Sequence, residues 1–91
     1  MALSTRAYTV IVDTVNEEAV SLSSLERYTG YIRRDEIPEA IELINKLIMK
    51  NERIIKELED SEQDYNEYLG RNASLSEFKK ILKNLQHKQV A

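Results

Sequence analysis

Residues 37–69, IPEAIELINKLIMKNERIIKELEDSEQDYNEYL, carry the strongest pattern in this 91-residue chain. Alternating steps of four and three pick out Ile37, Ile41, Ile44, Ile48, Asn51, Ile55, Leu58, Glu62, Tyr65 and Leu69. A period of about 3.5 residues, interrupted only at Asn51 and Glu62, is the signature of an amphipathic helix with a coiled-coil-like seam. Ala40, Leu47 and Ile54 widen the stripe in its first half. The wide part predicts a helix laid on a small core, and the narrow part a seam for one other helix. Pro38 suits the opening turn, and Asp35 is placed to cap it. Glu36, Glu39 and Glu42 lie where the helix dipole favours negative charge. Gly70 is the expected stop. The long helix is therefore expected over residues 36–69, and about 32 residues of helix are about 48 Å long at a rise of roughly 1.5 Å per residue. That is more than the rest of the chain can cover.

On the C-terminal side, Ser74-Leu75-Ser76-Glu77 has capping-box spacing ahead of Leu75, Phe78, Ile81, Leu82 and Leu85. These residues predict a short amphipathic helix over 74–88. Gly70–Ala73 would be the connection, and its shortness makes the two helices antiparallel neighbours. Asn72-Ala73-Ser74 fits the glycosylation sequon and reads as coincidence.

The formal charge of −3 hides an asymmetry. Residues 51–69 set Arg53 and Lys56 against Glu52, Glu57, Glu59, Asp60, Glu62, Asp64 and Glu67. Residues 70–91 set Arg71, Lys79, Lys80, Lys83 and Lys88 against Glu77 alone. An acidic stretch followed by a basic one suggests two elements folded back on each other, with the charges guiding orientation more than adding stability.

Residues 1–35 are read as the β-rich part. Tyr8-Thr9-Val10-Ile11-Val12 is rich in β-branched and aromatic types and predicts a strand. Two parses of residues 16–33 stay open. In one, Asn16-Glu17-Glu18 is a turn, Ala19–Leu25 a second strand and Tyr28–Arg33 a third. In the other, Asn16 caps a short helix with Ala19, Leu22 and Leu25 on its apolar face. The second parse yields strand, short helix, Thr29-Gly30, then Arg33-Arg34-Asp35-Glu36-Ile37 and Glu39-Ala40-Ile41. That order, over about residues 6–48, resembles the ribbon-helix-helix family of DNA-binding repressors and antitoxins. The resemblance implies an intertwined dimer reading DNA with the exposed face of its strand. Here that face would be Ala7, Thr9 and Ile11, and alanine and isoleucine offer no hydrogen bonds to base edges. Arg6 and the Arg33-Arg34 pair would meet phosphate, which positions a protein without specifying sequence.

Composition narrows the chemistry further. With no cysteine and a single histidine, His87, thiol nucleophiles, Cys-based zinc sites and multi-histidine sites are excluded. Two glycines leave no phosphate-cradling loop. Paired carboxylates such as Glu57 with Asp60, or Glu59 with Glu62, belong to a charged helix flank without a pocket to perturb them. No cofactor, metal ligand or catalytic residue is expected. No apolar run approaches the roughly 20 residues of a membrane span, and no signal-peptide pattern is present, so the expected setting is the cytoplasm.

The sequence thus predicts a single α+β domain. A small N-terminal antiparallel β-sheet or ribbon precedes the long helix and the short antiparallel C-terminal one. The expected function is non-enzymatic: an inhibitor, antitoxin or host-modulating factor that binds another protein as a helix-mediated homodimer. The alternative is a ribbon-helix-helix transcriptional regulator. Ile41, Ile44, Ile48, Asn51, Ile55 and Leu58 are the expected interface, with two readings of Asn51 open: a register-setting polar residue in the seam, or the point where the seam faces solvent and the helix leaves the core. Tyr8, Tyr28, Tyr31, Arg33 and Arg34 form a second candidate partner surface, since tyrosine brings large contact area with little freedom to lose.

Overall fold

A computed structural model describes residues 3–16 and 20–88 and places them in four helices. These are α1 (Thr5–Asn16), α2 (Leu22–Thr29), α3 (Ile37–Asp60) and α4 (Asn66–Lys88), with a 3₁₀ turn at Arg34–Glu36 leading into α3. Among the described residues there is no strand, so the α+β expectation is corrected to an all-α fold.

The correction begins at the β-branched run. Ala7, Val10, Ile11 and Thr14 are spaced by three and four, and all are buried. Strand propensity competes here with a complete helical face. Propensity differences reach only about 0.7 kcal/mol per residue, whereas burying one large apolar side chain contributes about 1.5–3 kcal/mol. Burial wins. The threonines adapt by donating their hydroxyls back along the helix, Thr9 to the Thr5 carbonyl at 2.7 Å and Thr14 to that of Val10 at 2.9 Å. The Ser4 hydroxyl caps the helix by accepting the Ala7 N–H at 3.2 Å.

The helical parse of the next segment holds in outline, with a different cap. Ser21, and not Asn16, opens α2, its hydroxyl accepting the Ser24 N–H at 3.2 Å. Leu25 is buried on the inner face. The turn expected at Asn16-Glu17-Glu18, and Ala19 in either parse, lie at or beyond the edge of the described residues. Tyr28–Arg33 is no strand: the first two residues finish α2, and the Tyr31 and Ile32 N–H groups bond back to the Tyr28 and Thr29 carbonyls.

The long helix stops nine residues before the expected Leu69. Beyond Asp60 the chain makes a Schellman closure, with the Gln63 N–H on the Leu58 carbonyl at 2.8 Å and the Glu62 N–H on that of Glu59 at 3.1 Å. Glu62 takes the left-handed position, φ 58°, that glycine usually fills. Asp64 then starts the next helix, its Oδ1 accepting the Asn66 N–H at 3.0 Å. Gly70, Asn72 and Ser74, read as stop, loop and cap, are all interior to α4. Ser74 is buried and accepts the Val20 N–H at 3.1 Å, tying the approach to α2 onto α4.

α3 and α4 form an antiparallel hairpin, with α1 packed on both and α2 on α4. One core joins Ile11, Leu25, Ile37, Ile44, Phe78 and Leu82, with Ala7, Ala40 and Leu75 filling between them. All of it lies at the end where four helices meet. From Glu52 to Ala73 no residue is fully buried. The molecule measures 48 × 26 × 24 Å, its long dimension comparable to the length of the hairpin. It is a four-helix root carrying a two-helix arm.

Candidate functional site

The arm is held in register by a polar contact at its base. Asn51 on α3 is 4% exposed and donates its side-chain amide to the Asn72 Oδ1 at 2.9 Å. The Asn72 amide in turn lies 3.4 Å from the Ile48 carbonyl. In an apolar seam such a pair selects one alignment, because sliding the helices would leave the buried Asn51 amide without its partner. Asn51 therefore sets register within the chain.

On both sides of this bridge, toward tip and root, the hairpin has an open face. On α3, Ile48, Glu52, Ile55 and Glu59 repeat at spacings of four and three. On α4, Leu69, Ala73, Ser76, Lys80, Lys83 and His87 do the same. The two rows flank a groove of about 580 Å³, lined by Ile48, Ile55, Leu69, Asn72 and Ala73 and edged by Glu52, Lys56 and Glu59. A second concavity shares Ser76 and continues along Lys79, Lys80, Lys83 and His87. Ile48 and Ile55 are half-buried, while Leu69 is 47% exposed.

The charges do not fold onto each other as expected. With Asn51 opposite Asn72, the acidic residues Glu59, Asp60, Glu62 and Asp64 sit at the tip of the arm. Lys80 and Lys83 lie at the opposite end, beside the start of α3. Among the described residues the ion pairs are local: Arg33 with Asp35 and Glu36, Lys46 with Glu42, and Arg71 with Glu67. None joins the acidic tip to the basic root. Arg71, stacked 5.1 Å from the Tyr68 ring, neutralises only one tip carboxylate.

The expected interface residues are divided by this geometry. Ile44 is fully buried, and Asn51 is bound to Asn72. Ile41 is half-buried and packs against the core. Leu58 is half-buried on the arm, while Ile48 and Ile55 line the open groove. The tyrosine set is likewise split, and not on a sheet. Tyr28 is tilted against Phe78 at 6.4 Å between ring centres. Tyr8 and Tyr31 remain exposed, as do Arg33 and Arg34, and the Arg6 guanidinium lies 5.8 Å from the Tyr31 ring centre.

Glu36 is a residue the sequence offered only as a dipole partner. It is 3% exposed, and its carboxylate accepts the Arg33 N–H at 3.0 Å and the Ser4 N–H at 2.8 Å. These bonds to the charged form hold its carboxyl below the ordinary carboxylate range. They also clamp the start of α1 to the start of α3.

Among the described residues, no three of His, Cys, Asp and Glu are gathered where a metal could sit, and no helix is long and apolar enough to cross a membrane. Comparison with protein-family models, curated proteins and solved structures finds no match.

Proposed function

We propose that this chain is a non-enzymatic interaction protein of the regulatory or inhibitor kind, which works by binding another protein chain through the open face of its arm. The observation that carries the reading is the contrast along α3 and α4. A packed core holds one end, with Ile48 half-buried against it, while Ile55, Leu69 and Ala73 continue from Ile48 as an apolar groove open to solvent. Apolar grooves rimmed by charge are the usual form of a helix-docking surface. The ribbon-helix-helix alternative loses its support, because residues 5–16, where it needs a DNA-reading strand, are helical.

The test is quantitative co-purification of the tagged chain from its native host, comparing wild type with Leu69→Glu and with Ile55→Glu plus Leu69→Glu. Wild type is expected to bring down one protein in stoichiometric amount, a second copy or another chain. The variants should stay helical by circular dichroism and lose it. Recovery of the wild type as an unaccompanied monomer, or partner retention by all variants alike, would overturn the reading.

A further inference from the structure

Resting on the arm as a docking surface, we infer that its occupant is a second copy of this chain, packed face to face and antiparallel about a two-fold axis crossing the groove beside Ala73. Three features of the open face lead there.

The first is its self-complementary charge. Asn51 and Asn72 mark one level across the hairpin. Glu59 lies eight residues from Asn51 toward the tip, about 12 Å at roughly 1.5 Å per residue. Lys80 and Lys83 lie seven and ten residues from Ala73 toward the root, about 10–15 Å by the same rise. Acidic and basic zones therefore stand at matching distances on either side of Ala73. Antiparallel stacking about that level lays each acidic tip over the other copy's basic root, twice by symmetry. Parallel stacking would put acid on acid and base on base, so the charges select the orientation.

The second is what those charges lack at home. Among the described residues, Lys80 and Lys83 form no ion pair within the chain, and Glu59, Asp60, Glu62 and Asp64 form none either. An antiparallel copy supplies both sets at once.

The third is shape and extent. Ala73 and Ser76, at the centre of the α4 row, are small enough to let two helices approach closely. The face is two helices wide, about 20 Å, and runs about 28 Å from the level of Glu59 to that of Lys83. Its plan area of about 560 Å² approaches the roughly 800 Å² of accessible surface that each partner gives to a specific interface.

Sedimentation equilibrium on the purified full chain tests this with two charge-reversed forms, Lys80→Glu with Lys83→Glu, and Glu59→Lys with Glu62→Lys. All four positions are exposed, so both forms should fold. Wild type is expected to be dimeric in the micromolar range. Each reversed form alone should dissociate by at least about tenfold more, and their equimolar mixture should restore the dimer, because tip and root are again opposite in sign. Because the chain has no native cysteine, Ala73→Cys supplies an independent reading and should oxidise to a covalent dimer. A wild type that stays monomeric at high micromolar concentration overturns the second copy as occupant. If the groove then captures a different host protein, the docking surface stands and only the occupant changes; if it captures nothing, both fall. Two reversed forms that dimerise as well as wild type, or a mixture that fails to recover, would also overturn the antiparallel register.

Discussion

At the root, Phe78, Ile44 and Leu82 have no exposed surface; on the arm, Leu69 keeps 47% of its own. The same two helices run through both regions, and their apolar residues are of the same kinds. What differs is the number of layers. At the root α1 and α2 cover the hairpin, so each large side chain is enclosed. On the arm two helices cover only each other's inner faces. Two helices alone make a thin core, and their outer rows are left to whatever packs next. The comparison separates residues that hold the fold from residues available to a partner.

The largest test of that separation is a pair of truncations. Phe78→Ala at the root should cost about 3–5 kcal/mol, and Ile55→Ala, measured on dilute protein, about 1 kcal/mol or less. Urea unfolding of both variants checks this, and equal losses would erase the distinction. At the boundary between the regions, Asn51→Ala leaves Asn72 without its side-chain donor and should cost about 1–3 kcal/mol. Replacing both asparagines by leucine should recover most of that loss while loosening register. A double-mutant cycle followed by thermal melts gives the coupling.

A third test is confined to the root. The Glu36 carboxyl is held below its ordinary value of 4.5, first by the Arg33 N–H and then by that of Ser4. A carboxylate with a lowered folded-state value binds protons less readily than in the unfolded chain. Its contribution is therefore fully present above about pH 4.5 and is lost as pH falls through the lower folded value. Stability measured between neutral pH and pH 3 should fall at the acid end, and Glu36→Gln should flatten that limb while lowering the neutral plateau. The smallest effect belongs to the arm's tip. Glu62→Gly relieves a left-handed backbone at the helix end and should stabilise by about 0.5–1 kcal/mol. A destabilised melt would mean that the Glu62 side chain contributes more than its backbone costs.

All of α3, the first two-thirds of the helix expected over 36–69, was legible because Ile37, Ala40 and Ile44 repeat at helical spacing around Pro38, and those residues are buried as a set. The helix was overrun because Tyr65 and Leu69 continue the 3.5-residue period across a turn that reverses the chain. Asp64-Tyr65-Asn66-Glu67 carries a start signal of the same Asp/Ser-x-x-Glu form as Ser74–Glu77, and burial decided between them. Reading Gly70–Ala73 as a loop hid the α4 row through Leu69, Ala73 and Ser76, and with it half of the open face. At the N-terminus, Val10, Ile11 and Val12 invited a strand, while the deciding pattern was Ala7, Val10, Ile11 and Thr14. The Glu36 clamp depends on Ser4, thirty-two residues away, and no local spacing announces such a contact.

Amide hydrogen exchange, read at low and at high micromolar concentration, tests most directly the claim that the buried root core folds the molecule and the open face of the hairpin binds. Backbone amides around Ile44 and Phe78 should exchange slowly and equally at both concentrations, because their cover lies within the chain. Amides of residues 48–59 and 69–76 should exchange quickly when dilute and become protected as concentration rises, as the second copy closes over them. Arm protection that is identical at the two concentrations would contradict the account.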